Sequence, residues 1–232
     1  MSRIKFLSLV IIFNFSFVFS QNRERIEDSV HIYWQPNINL NLNDFEFDGT
    51  KEENAEMYCE KVKLCVCAAT NINIIIDSPT NNKKRNKDLG KIFIVPVFDK
   101  NMSYALTKDT IGVNQQKLVF DIEEWTARYI RQELEKIKKQ FKDRQDFLIT
   151  WHKVVLNEAQ KKKRKLIDEY TLEVYLEPKP NAYRDWRIKV DNMLKELKDY
   201  ATTKEECNRF LYKKTIEKNY EQSVFLGCKN HN

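Results

Sequence analysis

The chain has 232 residues, 40 Lys and Arg against 34 Asp and Glu for a net charge of +6, and only 4 glycines. That length holds one domain with a substantial core, and the modest basic excess, without interleaved aromatics or a recognised module, argues against nucleic-acid binding. The three histidines, His31, His152 and His231, stand at no metal-ligand spacing, and no internal repeat or low-complexity segment appears.

Residues 1–20 read as a signal peptide. Arg3 and Lys5 give a positive start, Phe6 to Phe19 form an apolar run, and Val18-Phe19-Ser20 is a small-residue cleavage site before Gln21. The run falls short of the roughly 20 residues that span a bilayer, so an uncleaved anchor is the lesser alternative. The chain after cleavage, with no further apolar run, is expected to be exported to a periplasmic or extracellular space without a stable membrane span. Its charge drops to about +4 because Arg3 and Lys5 leave with the leader.

His31 to Trp34 reads as a short strand, followed by Leu40, Leu42, Asp44, Phe45 and Gly49. Trp34 and Phe45 are large apolar anchors, and Asp44 is placed to bond backbone N–H groups at a turn or helix start. Val62 to Ala68 alternates with the period of a half-exposed strand, and Ile72 to Ile76 is a β-branched run that Asp77-Ser78-Pro79 terminates. After a polar loop, Gly90 precedes the apolar strand Lys91 to Phe98, in which Pro96 predicts an edge or a bulge.

A long helix is expected from about Gln115 to Asp146, because Leu118, Ile122, Trp125 and Tyr129 recur at steps of four, three and four. A highly charged helix follows through Trp151, Val155, Leu166 and Ile167. Its run Lys161-Lys162-Lys163-Arg164-Lys165 is read as a solvated face. Pro178 and Pro180 fix an extended connection to a helix carrying Trp186, Val190 and Leu194 that ends near Tyr200. A last amphipathic segment covers roughly Thr203 to Asn219. The strands predict a small mixed or antiparallel sheet packed on the long helix, an α+β fold that is sheet-rich over 30–112 and helical over 113–220.

Two motif stretches, with two shorter segments, carry a family resemblance. Gln115-Gln116-Lys117-Leu118-Val119-Phe120-Asp121-Ile122, with Ala127-Arg128 and Arg131 beyond it, resembles the metal-binding helix of a family of predicted secreted bacterial zinc-dependent peptidases. That helix opens His-Glu-x-x-His-Phe-Asp-Ile and continues Ala-Arg-x-x-Arg. The Trp34, Leu40, Asp44-Phe45 and Gly49 spacing, and Phe98-Asp99-Lys100 ahead of Ser103-Tyr104, are similar to the same family's N-terminal segments. The second stretch resembles its motif Tyr-Asp-x-Glu-Thr-x-His-Gly; counting back from Trp186 puts Tyr170 and Glu173 in register and Leu176 in the histidine's place. The resemblance implies a zincin-like single domain over 21–232.

It also implies that the metal site is degenerate. Two histidines one turn apart would bind zinc and the intervening Glu would activate its water, yet Gln115, Gln116 and Val119 occupy those positions. An amide is a poor zinc ligand, a valine offers no lone pair, and Gln116 accepts no proton near neutral pH. With Leu176 as well, no metal ligand, cofactor or catalytic residue is expected. The chain then reads as an exported, inactive peptidase relative that binds or scaffolds an unknown protein or peptide. The alternatives are a hydrolase working through Asp121, Glu123, Glu124, Glu173 or His152 or through a different metal site, and an envelope-associated interaction module. Five cysteines leave at least one unpaired if the others pair internally, and Cys207 with Cys228 is the preferred disulfide.

Overall fold

The computed structural model describes residues 25–85 and 87–223. The leader, Cys228 and His231 lie outside them. In chain order come β1 (His31–Tyr33), α1 (Ala55–Val62), β2 (Val66–Pro79), the single turn α2 (Asn82–Arg85) and β3 (Lys91–Ala105). Then follow α3 (Thr110–Lys138), α4 (Arg144–Thr150), α5 (Asn157–Thr171), α6 (Ala182–Glu196), α7 (Lys204–Tyr212) and β4 (Tyr220–Gln222). Two π-helical turns, Trp151–Leu156 and Leu172–Leu176, run in series with α4 and α5. The sheet has the order β1-β3-β2-β4 and every pairing is antiparallel. Among the described residues no helix is long and apolar enough to cross a membrane.

Alternation along the strands divides the core in two. Ile72, Ile76 and Ile94 pack with Ala127, Ile130 and Leu134 of α3 and with Phe147 and Trp151. The intervening residues Val95 and Val97 face the other way, onto Tyr33 and onto Cys207 and Phe210 of α7. The sheet is therefore covered by α3 on one face and α7 on the other. Trp34 and Phe45 join one apolar cluster with Phe98, Val113 and Phe120. Asp44 accepts the backbone N–H of Asn41 at 2.8 Å in a capping box and is clasped by Arg25 at 2.8 and 2.9 Å.

Four expectations need correction. Val62 to Ala68 is not one strand: Val62 closes α1, Lys63 turns the chain in the left-handed region at φ 60°, and a disulfide between Cys59 and Cys65 ties the helix end to the start of β2. β2 then runs unbroken through the Ile72–Ile76 stretch to Pro79. Pro96 lies in an inner strand, but its carbonyl accepts the N–H of Trp34, just beyond the three residues of β1. N–H and C=O of one strand residue point to the same side, so the missing donor falls where β1 has already ended. The long helix starts one turn earlier than expected, capped by Asp109, and stops at Lys138, because Asp143 caps a new helix through the N–H groups of Gln145 and Asp146. The last segment stops at Tyr212, where Lys213 adopts φ 53°, and the chain returns as β4, which no pattern announced.

Candidate functional site

The N-terminal half of α3 is where sequence expectation and structure meet. Its first turn rides on the sheet: a Cβ at Gly112 would come within 2.8 Å of a Val66 methyl, so only glycine permits the approach. Opposite it β2 has an irregularity between Cys67 and Ala69 that leaves Ala68 out of the ladder. The Oε1 of Gln116 accepts the free N–H of Ala68 at 3.0 Å, and Nε2 donates to the Tyr175 hydroxyl at 3.1 Å. The side chain is buried, as polar groups at both ends of the amide require.

The other expected positions separate. The Gln115 carbonyl accepts the Tyr170 hydroxyl at 2.9 Å. Val119 packs against a cluster of Leu118, Ile122, Tyr170, Tyr175, Trp186 and Val190. Leu176, in the histidine's place of the second motif, is 50% exposed. The cause is the π-helical turn: residues five apart share its face, so Tyr175 follows Tyr170 inward and Leu176 points out. Burial pushes the Tyr175 phenol up to about 12, so it stays protonated near neutral pH. These positions do not fit zinc, since one amide is consumed by two hydrogen bonds, the valine sits among apolar side chains and the leucine faces outward. Among the described residues no three His, Cys, Asp or Glu side chains are grouped as a metal site requires.

The remaining residues of the resemblance hold the framework together. Asp121 accepts the Trp34 indole N–H at 2.9 Å, both from Lys117 at 2.6 and 2.7 Å, and from Arg187 at 2.6 Å. Trp34, which reads in sequence as a remote core residue, thus touches this helix directly. Arg128 donates to Glu124 at 2.7 Å and to the Leu194 carbonyl at 2.5 Å. Arg131 reaches the carbonyls of Tyr200, at 2.7 Å, and of Ile94. Tyr170, Glu173 and Trp186, the three residues that set the second register, also meet: the rings of Tyr170 and Trp186 stack edge to face at 5.6 Å, and the indole donates to Glu173 at 2.7 Å.

The candidate carboxylates of a different mechanism are likewise engaged. Glu124 takes the N–H and hydroxyl of Thr202 at 2.9 and 2.5 Å; burial pushes its pKa up against the charges of Arg131 and Arg128. Glu123 accepts from Lys163 at 2.9 and 3.2 Å and from Thr70 at 3.4 Å, and burial again raises its pKa. Lys163, in the basic run, is therefore a partly buried partner, while Lys162 pairs with Glu158 at 3.6 Å and lies over the Tyr129 ring. His31 lies 3.6 Å from Asp28 and 4.0 Å from Asp99 on β1, and His152 belongs to the first π-helical turn.

Cys207 is buried and its thiol donates to the Trp34 carbonyl at 3.4 Å; its expected partner Cys228 lies outside the described residues. Sequence reasoning missed the Cys59–Cys65 pairing, and it missed Tyr175, Lys163, Arg187 and Thr202 as partners of α3. Only the step of five between Tyr170 and Tyr175 could have signalled one of them. Comparison with family models, with curated proteins and with solved structures finds no match for this chain.

Proposed function

We propose that this chain is an exported binding or scaffold protein for a protein or peptide, built on a zinc-peptidase-like framework without its catalytic centre. The observation that carries the reading is the Gln116 carboxamide. In the resembling motif this position is the general base, a carboxylate facing a metal-bound water; here the side chain is a cross-link between α3, the irregularity of β2 and Tyr175.

Two further features support it. Asp121, Arg128 and Arg131 tie α3 to other elements, and Tyr170, Glu173 and Trp186 tie α5 and the turn after it to α6, so a framework of this kind stands without a metal. The Cys59–Cys65 disulfide suits an oxidising compartment, in keeping with the leader segment.

The test is metal analysis and peptide hydrolysis on protein purified from an oxidising compartment. No stoichiometric zinc and no cleavage of a mixed peptide pool is the expected result. One zinc per chain, removed by a chelator together with a peptide-cleaving activity, would overturn the reading.

A further inference from the structure

β2 spans 14 residues, yet among the described residues its edge away from β3 is paired only at Asp77, Ser78 and Pro79, by β4. Burial follows the pairing: Ile76 to Pro79 are buried, Asn73, Ile74 and Ile75 are half-buried, and Asn71 is exposed. Alternate residues of a strand turn their N–H and C=O groups toward one edge. On this edge they are the even-numbered ones, since the Ile76 carbonyl accepts the N–H of Ser223 and the Thr80 N–H donates to the Asn219 carbonyl. Ile72 has its outward N–H taken by the Asn71 side chain at 2.8 Å, and Ile74 faces outward between them with no strand opposite among the described residues.

The chain reaches this edge already aligned. Ser223, where the described residues end, donates its N–H to Ile76 at 2.7 Å, and its hydroxyl accepts from Arg144 at 3.0 Å. On the other face Arg209 of α7 donates to Gln222 at 3.3 Å and to Asp77, opposite it, at 2.9 and 2.7 Å. Both faces of the sheet thus hold the chain in line with β2, and Val224-Phe225-Leu226-Gly227 comes next in sequence. A segment joined to Ser223 without an intervening loop meets the edge at an effective concentration that no free strand matches.

We propose that Val224 to Leu226 continue β4 along β2 as a strap that closes its open edge. The register of β4 carried forward sets Val224 opposite Ile75, Phe225 opposite Ile74 and Gly227 opposite Ile72. Phe225 then exchanges both main-chain hydrogen bonds with Ile74. By the alternation of strand faces its ring covers Ile74 and Leu156 on the α3 side, while Val224 covers Ile75 and Phe93 on the α7 side. Pairing ends at Gly227, because the Ile72 N–H is already satisfied. The strap keeps the edge from a second copy of the chain or from a partner's strand. The inference rests neither on the peptidase-like framework nor on the absence of zinc.

The test is amide hydrogen exchange, read by NMR on the full chain and on a chain ending at Ser223. In the full chain the Ile74 amide is protected; truncation speeds its exchange about tenfold or more, the scale of one lost hydrogen bond. Phe225→Pro removes the N–H aimed at Ile74 and does the same, whereas Leu226→Pro removes one that faces away and leaves the protection in place. Should truncation also strip the Asn73 amide, which bonds inside the β2–β3 ladder, the two proline variants decide. Rapid exchange at Ile74 in the full chain, or equal effects of the two prolines, overturns the proposal. So does protection that appears only with a dimer in sedimentation, since a second copy is then the occupant. Disulfide mapping is an independent check. Cys207 bonds the carbonyl of Trp34, just past β1, and the strap puts Cys228 beyond the far edge of β2, three strand spacings or roughly 14 Å away. A disulfide spans no more than about 7 Å between Cα atoms, so finding Cys207 bonded to Cys228 would also overturn the strap.

Discussion

Gln116 and Tyr175, 59 residues apart, share a 3.1 Å hydrogen bond that joins the central helix to the π-helical turn after α5. The same amide satisfies the Ala68 backbone N–H, which β2 leaves out of its ladder, so it links three parts of the fold at once. Gln116→Ala should therefore cost about 1–3 kcal/mol, mostly from stranding the Ala68 N–H. Tyr175→Phe should cost less, about 1 kcal/mol, because Ala68 keeps its acceptor. Urea denaturation checks both, and equal stability of Gln116→Ala and the parent would sink the cross-link.

Asp121 gathers two cations and an indole. Its carboxylate is 2% exposed, whereas Lys117 and Arg187 are about a quarter exposed at 22% and 26%. Asp121→Ala leaves half-buried Arg187 with only the exposed Asp191 as counter-charge and should cost about 3 kcal/mol, the low end for a broken buried pair because water reaches both cations. Trp34→Phe removes the indole donor and part of a buried ring but strands no charge, so it should cost less; a midpoint shift larger than that of Asp121→Ala would contradict this ranking.

Asp28 predicts an acid-dependent loss of stability. Burial pushes its pKa up, but the backbone N–H groups of His31 and Val30 and the Tyr33 hydroxyl outweigh burial and hold the carboxyl below its ordinary value. A depressed folded-state pKa stabilises fully above the unfolded value of about 4 and is lost as pH falls through the folded value. Asp28→Asn should flatten the fall in urea midpoint below about pH 4 relative to the parent. A parallel fall in both proteins would refute the assignment.

Cys207 should resist alkylation. Burial, with Glu206 and Glu124 nearby, pushes its thiol up to about 12, so almost no thiolate exists near neutral pH. Iodoacetamide and mass spectrometry should find it unlabelled in the native protein and labelled once the chain unfolds. If it stays unlabelled after unfolding without reductant, it is disulfide-bonded to Cys228 instead.

The Cys59–Cys65 disulfide closes a short loop at the end of α1. In the chain-entropy account, replacing both cysteines by alanine should lower stability by about 2 kcal/mol, less than a long-range bridge would. An unchanged denaturation midpoint would show that the loop is already held by Lys63 and the helix cap.

The sequence by itself determined the repeating elements. Periodicity located α6 within a few residues and the start of α3 to about a turn, because an apolar stripe is a local property, though it carried α3 past Lys138 to Asp146; the β-branched runs marked β2 and β3. It also determined that Gln115, Gln116 and Val119 lack the chemistry of zinc ligands and a base, since that follows from side-chain identity alone. Only the tertiary structure decided what those positions do instead. Apart from Lys117 and Arg128, one helical turn from Asp121 and Glu124, the partners of Gln116, Asp121, Glu123 and Glu124 lie 40 to 87 residues away in sequence, and no spacing rule reaches that far. The inward turn of Tyr175 rather than Leu176 depended on a π-helical step, and the burial of Arg209 on a strand, β4, too short to carry a pattern. Local spacing fixes which face of an element is apolar; which buried polar groups meet is set by how the elements pack.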